Sequence, residues 1–497
     1  MLTSLLLALT LPSQAGAYYF VDAGTRGMSR GGAYIAGNRD LTAQYYNPAA
    51  LINLDSGQVM LNFSLVDQRA GFKRMDLDSN GEVVKQYKEV DNIAAPMKIP
   101  SFGIAHHFGV PNTMFALGLH PPYAPDKEYK ADGPQRYTLI DAKVQQFFVA
   151  LSAAHQPFEW LTIGAGLLWN VTRADQELAL KVCNRDWDDN EAFADASCAH
   201  GTREVTDLVI RMEMVDKARI NANFGVLIDP TDNLTVGLSV TPPMKVKGKG
   251  SLSARFSENH WLVAGEPFPM EILATPEARD DDISVELTMP MVVRGGVAFR
   301  PIENLEIEFA TVYERWSQHN EVLISKVRVP LMLGEQVQAA SSDLDPEVPI
   351  NGPVSLPADY NDTFSYRLGG EWDAKEWLSI RSGVYYEKSA IPTRLQGVGL
   401  MDGNKIGYGV GASYHHKDVL SFDLALSQSF LGTRKMRNSE LKNLEVPISI
   451  TDAISEGGIS TNIENGSPIA NGDLSSTLTM LSAGITYYFG KPTPRTY

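Results

Sequence analysis

The sequence predicts an all-β chain, closed as an antiparallel transmembrane β-barrel of about fourteen strands. Three observations carry that prediction. The residues alternate with a period of two and one apolar face, the connections alternate between short and long, and the last strand ends in aromatics.

The period of two is clearest in the C-terminal third. Ile406, Tyr408, Val410, Ala412 and Tyr414 alternate with Lys405, Gly407, Gly409, Gly411 and Ser413. Leu420, Phe422, Leu424 and Leu426 alternate with Ser421, Asp423, Ala425 and Ser427. Phe364, Tyr366, Leu368 and Trp372 stand against Thr363, Ser365, Arg367 and Glu371. Such strands are apolar on one side and wet on the other. A sandwich buries the apolar side against a second sheet. A membrane barrel turns it to lipid and keeps the polar side in the lumen.

The connections decide between these two. Strands read at 57–69, 97–108, 112–121, 143–154, 160–181, 204–228, 233–249, 282–299, 304–327, 362–373, 376–388, 404–415, 418–432 and 475–489. The joins at 109–112, 155–160, 229–233, 300–304, 373–376 and 416–418 are short. Those near 70–96, 122–142, 182–203, 250–281, 328–361, 389–403 and 433–474 are long. Short turns on one rim and long loops on the other is the bacterial outer-membrane arrangement, with the long loops outside the cell. A sandwich has no reason to keep it. In the last strand, Leu481, Ala483, Ile485, Tyr487 and Phe489 share one face, with aromatics at the interface end; a short tail, 491–497, follows.

Hydrophobic residues make up 44% of the 497. Beyond residue 17, however, no uninterrupted apolar run reaches the ~20 residues a membrane helix needs. Residues 1–17, apolar and closing on Ala15–Gly16–Ala17, read as a signal peptide. A net charge of −16 argues against a nucleic-acid binder, which needs a concentrated basic face. The two cysteines, Cys183 and Cys198, share a polar stretch, and in an exported chain they are expected to staple that loop as a disulfide. Their spacing lacks a redox or zinc pattern, so no metal site is implied. No GxSxG, HExxH or Walker pattern is present, and neither enzymatic activity nor a cofactor is expected. "DLDSNGEVVKQY" (76–87) starts like a calcium loop but has Tyr87 where the bidentate glutamate belongs. Asn80–Gly81 reads instead as a type I′ hairpin turn, and 279–282 as a solvated acidic loop.

One stretch does not fit a chain of strands. "GTRGMSRGGAYIAGNRDLTAQYYNPAAL" (24–51) is rich in glycine, briefly helical, and broken at Asn47–Pro48. Asp40 is placed to cap the run 41–46. Pro48 takes Asn47 out of the helical region and ends the run, and the glycines permit tight turns and close approach to a wall. Tyr34, Ile35, Leu41, Tyr45 and Tyr46 supply apolar anchors that a disordered leader lacks.

With Gly24, Gly27, Gly31, Gly32, Asp40 and Asn47–Pro48–Ala49, this stretch resembles the N-terminal signature of the FadL/TodX family. These are outer-membrane transporters of long-chain fatty acids and other hydrophobic compounds. "LTVGLSVTPPMKVKGKG", "VRGGVAFRPIENLEIEFATVYERWS" and "YNDTFSYRLGGEW" fit the family as well. The resemblance implies that residues 18–56 form a small hatch that plugs a barrel of residues 57–490. Gly31, Gly32, Asp40, Asn47, Pro48 and Ala49 would then serve the hatch and its gating. It also implies a ligand pocket near the mature N-terminus, lined by Tyr18, Tyr19 and Phe20, passive uptake, and sideways exit through the wall. By strand parity Arg367 and Arg381 point inward beside Glu371, Glu387 and Asp423, where a guanidinium suits a ligand carboxylate or pairs with wall carboxylates. The expected partners are a hydrophobic, fatty-acid-like molecule and outer-membrane lipids, with no nucleic acid, and the chain is expected as a monomer. Two readings stand as alternatives: a structural or adhesive barrel whose loops bind an external partner, and a general porin.

Overall fold

The computed structural model describes residues 22–123, 125–184, 207–256, 277–332, 334–340, 346–351, 353–448 and 464–490, with 262–263, 266–267 and 274. Fourteen antiparallel strands form its wall. They are β1 Gly57–Leu77, β2 Met97–His106, β3 Thr113–Tyr123, β4 Asp141–Phe158, β5 Leu161–Asn184 and β6 Leu208–Thr231. Then come β7 in two pieces, Leu234–Thr241 and Met244–Phe256, and β8 in two pieces, Glu277–Met289 and Met291–Ile302. The wall ends with β9 Leu305–Arg315, β10 Thr363–Lys375, β11 Leu378–Glu387, β12 Lys405–His416, β13 Leu420–Met436 and β14 Gly472–Phe489. The first and last strands pair from Gly57↔Phe489 to Arg74↔Gly472, so the sheet has no free edge.

Parity does what the sequence demanded of it. Leu424 is 64% exposed and its neighbour Ala425 3%, and Phe309 is 50% exposed beside a fully buried Glu308. The exposed apolar face runs over the strands, from Leu61 and Phe63 through Leu151, Trp169 and Phe224 to Leu368 and Leu481. A water-soluble protein does not carry such a band, whereas lipid covers it. At the short-turn rim Phe158 stacks on Trp160, Trp377 lies against Tyr414, and Tyr487 stacks on Phe489. Amphipathic rings favour that interfacial level.

Three strands expected as continuous are broken. The stretch 233–249 is interrupted at Pro242–Pro243 and 282–299 at Pro290, because proline has no N–H to give a ladder. The stretch 304–327 turns at a 3-10 segment, Trp316–Gln318, where Trp316 is buried and its Nε1 donates to Glu314 (2.8 Å). Two further expectations need correction. The Asn80–Gly81 hairpin forms, but only Gly81 has a positive φ, so the turn is not type I′. Asp78 organises it by accepting the amides of Asn80 and Glu82. Residues 279–282 lie inside β8 rather than in a loop, and Asp280 accepts the Arg328 amide (2.7 Å).

The prolines leave two interruptions in the wall. β2 pairs with β3 only from Phe102↔Leu119 to His106↔Phe115, although its other edge is paired from Met97 onward; beyond Leu119 lies Pro121–Pro122. β6 and β7 pair up to Val240↔Phe224 and resume at Lys249↔Val215. Between those points side chains replace the ladder. The Asn221 amide donates to the Pro242 carbonyl (3.0 Å), Arg219 donates to the Lys247 carbonyl (3.1 Å), and Asp216 accepts the Lys247 amide (2.7 Å).

An outward side chain should meet hydrocarbon. Phe309→Arg is expected to destabilise the barrel in lipid bilayers by about 2–4 kcal/mol, measured by urea titration from liposomes. Phe309→Leu should stay within about 1.5 kcal/mol of the parent. Equal midpoints for the two variants would contradict the assignment of this face to lipid.

Candidate functional site

Residues 22–54 lie within the ring of strands, and all but a few are buried. A short helix, Thr25–Ser29, ends at Gly31 (φ 59°) and Gly32 (φ 73°), where the left-handed conformation turns the chain back on itself. The Gly32 amide then donates to the Gly27 carbonyl (2.9 Å). A Cβ on Gly32 would also overlap the Asp22 carboxylate and the Arg367 guanidinium. Asp40 accepts the Thr42 amide (2.8 Å) and the Thr42 hydroxyl, so the second helix, Ala43–Tyr46, starts two residues later than the expected run. Asn47 is extended (φ −157°, ψ 106°), and Pro48 opens the 3-10 turn Pro48–Asn53. The Asn47 side chain accepts the Ala49 amide (3.1 Å) and donates to two carbonyls, Ile35 (3.3 Å) and Val226 of β6 (3.2 Å).

Charges fix this segment to one side of the wall. Glu308 of β9 accepts three consecutive backbone amides, Ile35 (2.6 Å), Ala36 (3.0 Å) and Gly37 (2.9 Å). Successive amides gathered in this way form an anion-binding concavity. Arg30 sits between Glu306 (3.0 Å) and Glu308 (3.4 Å), Arg39 reaches Glu306 (3.1 Å), and Arg26 pairs with Asp423 of β13 (3.0 Å). The opposite side is held by neutral hydrogen bonds. Gln44 donates to the carbonyls of Ala116 (3.2 Å) and Ala150 (3.0 Å), Asn223 donates to the Gln44 carbonyl (2.7 Å), and Ser239 donates to the Tyr46 carbonyl (2.6 Å). Close approach requires missing side chains on the wall. A Cβ on Gly383 of β11 would overlap the Arg30 carbonyl, and one on Gly225 of β6 would overlap the Asn47 side chain.

The two arginines singled out by parity do point inward, and the protein itself occupies them. Arg367 donates to Asp22 (2.6 Å) and to the Gly31 carbonyl (3.2 Å), with Glu387 at 3.8 Å. Arg381 donates to Glu371 (2.7 Å) and to Ser413 (2.5 Å). Both belong to the ion-pair network around the inner segment. Tyr18, Tyr19, Phe20 and Cys198 lie outside the described residues, as does the Cys183 side chain. Sequence reasoning missed Glu306 and Glu308, although "NLEIEFA" puts both on the inward parity opposite Ile307 and Phe309. It also missed Arg294, which "VVRGGVAF" puts inward by the same rule.

Arg294 of β8 is 6% exposed, and its guanidinium lies over the Tyr45 ring (4.7 Å to the centroid). It lines a cavity of ≈ 40 Å³ with Phe148, Leu168, Asn223, Met244 and Met289. From there toward the long-loop rim the inward wall is apolar, with Met212 and Met214 on β6, Val246 on β7 and Leu287 on β8. A larger cavity, ≈ 980 Å³, opens at the short-turn rim, where Arg26, Arg39, Glu371, Asp373 and His415 share the lining with Leu54, Leu420 and Phe489. At the long-loop rim Lys127 donates to the carbonyls of Val398 and Gly399 (both 3.2 Å), tying two loops together. Burial there pushes its ammonium down to about 7, against the attraction of Asp402.

The sequence matches the family described as outer membrane protein transport protein (OMPP1/FadL/TodX) over residues 6–460. Solved structures with the same fold include a Pseudomonas aeruginosa FadL homologue, with TM-score 0.67, 16% identity and coverage of 95% of this chain and 100% of that one. The Pseudomonas putida toluene transporter TodX superimposes with TM-score 0.61 at 14% identity, over 95% of this chain and 99% of that one. The CymD monoaromatic hydrocarbon channel gives TM-score 0.60 at 14% identity, with the same coverage. Among curated proteins no sequence matches.

Glu308→Ala tests the anchoring. It strips the amides of Ile35–Gly37 of their acceptor and Arg30 of one carboxylate, a local loss of about 3–5 kcal/mol. The barrel ladder is untouched and should still give a heat-modifiable, membrane-inserted protein. Single-channel current across planar bilayers should rise in Glu308→Ala and stay at the parent level in Glu303→Ala, at an exposed short-turn position. Parent-level current in both would show that Glu308 does not hold the segment.

Proposed function

The chain belongs to the outer membrane protein transport family (OMPP1/FadL/TodX), and from that premise we propose that it takes up long-chain fatty acids or similar hydrophobic molecules passively, with residues 18–56 acting as a hatch. As a member it is an outer-membrane barrel of a Gram-negative bacterium that transports hydrophobic compounds, and it is not an enzyme. In this reading the long loops face outward and capture the ligand, the apolar inner wall receives it, and a shift of the hatch releases it. Asn47, Pro48 and Ala49 govern that shift together with Gly31, Gly32 and Asp40.

One observation carries the reading. The inward surface between the hatch and the long loops is methionine-rich and aliphatic on β6, β7 and β8, where a diffusion porin keeps a polar, water-filled channel. Unbranched, polarisable methionines adapt to guests of different shape. The proposed exit is sideways, since a lipid-like molecule gains nothing from entering water. The β2–β3 and β6–β7 interruptions support that route. At the second, side chains that can swing aside stand in for a backbone ladder.

Removing residues 18–50 is the test. The variant should insert normally, conduct ions in planar bilayers, and no longer support uptake of radiolabelled oleate by a transport-deficient strain. An unplugged porin predicts instead that the full-length chain already conducts. An adhesive barrel predicts that neither protein takes up oleate. If the shortened barrel neither conducts nor loses uptake, the hatch assignment falls.

A further inference from the structure

We propose that the outward face of β5, β6 and β7, just above the apolar band on the long-loop side, binds the phosphates of the outer-leaflet glycolipid, lipopolysaccharide. The site depends on the outward orientation of the long loops and on nothing about which compound is carried.

Four cations define it. Arg173 on β5, Lys217 on β6, and Lys245 and Lys249 on β7 are all exposed, and among the described residues none has a carboxylate within ion-pair reach. The whole chain carries a net charge of −16, so a local excess of positive charge runs against its composition. Strand register gathers the four. Val215 of β6 pairs with Arg173 on one side and with Lys249 on the other, which sets those two backbones about 10 Å apart. Lys217 follows Val215 on the same face of β6, and Lys245 shares the outward face of β7 with Lys249, Val246 and Gly248 between them being buried.

Their level on the wall points to the partner. On the short-turn side the exposed residues are apolar: Trp169 on β5, Ile220 on β6 and Leu238 on β7. Trp169 donates its indole N–H to the Lys217 carbonyl (3.1 Å), and an outward tryptophan of this kind marks the membrane interface. Toward the long loops the charges are matched, Arg211 with Asp175 (2.6 Å), Arg255 with Glu177 (3.1 Å) and Arg279 with Asp281 (2.6 Å). On β1 the level above Leu65 holds the matched pair Arg69–Asp67 (3.3 Å), so unmatched cations are not a general feature of the rim. In this one sector they stand at headgroup depth, where the nearest anions are those of the lipid. Phosphate suits the set, because lysine meets it as a point charge and arginine as a fork. Lys217 and Lys245 also stand on opposite sides of the β6–β7 interruption, so one headgroup bridges strands that no ladder joins there.

The experiment titrates the purified full-length barrel by native mass spectrometry with lipid A carrying its phosphates, lipid A stripped of them, and phosphatidylglycerol. The parent should bind the phosphorylated lipid A most tightly. Lys217→Gln, Lys245→Gln and Lys249→Gln combined should weaken that binding by about a hundredfold and leave the stripped lipid A unchanged, in protein that keeps its heat-modifiable mobility. Lys98→Gln, at an exposed lysine on β2, should bind like the parent. Parent-level binding of phosphorylated lipid A in the combined variant overturns the glycolipid site and leaves hydrophobic uptake standing. So does phosphatidylglycerol binding to the parent as tightly as phosphorylated lipid A. Orientation is checked separately: proteinase K added to intact cells should cut at the exposed turn Asn80–Gly81. Protection of that turn until the outer membrane is opened overturns the orientation, and the site with it.

Discussion

Glu308 has no exposed surface, and its two oxygens collect the amides of Ile35, Ala36 and Gly37 while Arg30 balances its charge. The interior organisation of the barrel depends on this contact. A chain segment placed inside a barrel loses water from its backbone, and each group then needs a partner. Residues 22–54 satisfy part of their backbone in short turns of their own, and the wall supplies partners for the rest, by carboxylates on β9, β10 and β13 and by backbone carbonyls and polar side chains on β3, β4, β6 and β7. The ion pairs are distributed unevenly. They cluster where Arg26, Arg30 and Arg39 meet Glu306, Glu308, Glu371 and Asp423, and the far side is held by neutral hydrogen bonds and by the Arg294–Tyr45 contact.

The wall is built on the opposite principle. Its strands satisfy one another through backbone ladders that close without the inner segment, so segment and wall are separable in energy. The exceptions are local and chemical. Pro121–Pro122, Pro242–Pro243 and Pro290 remove donors, and at β6–β7 the side chains of Asp216, Arg219 and Asn221 take over. At β6–β7 the wall is therefore held by groups that can rotate away from one another.

Much of this was legible in the sequence, for reasons that differ by element. Strand number, closure and lumen-facing parity follow from a period of two, which is why the inward position of Arg367, Arg381 and Asp423 was readable. Asn47–Pro48 was readable because proline constrains its neighbour locally. What Arg367 meets was not readable, because Asp22 lies 345 residues away along the chain. The break at Pro242–Pro243 was visible as letters, but the pattern of apolar alternation on either side read as one strand. Glu308 was passed over because an inward glutamate on a barrel strand usually faces water; only the fold brings three amides to it.

Glu308 grips the Ile35–Gly37 backbone, and the central proposal is that the hatch shift on ligand binding breaks this grip. Hydrogen exchange of those three amides, followed in nanodiscs with and without oleate, tests it most directly. The account predicts slow exchange without ligand, comparable to that of the wall ladder, and markedly faster exchange at these amides with oleate while the wall stays protected. Fast exchange without ligand, or protection unaltered by saturating oleate, would contradict it.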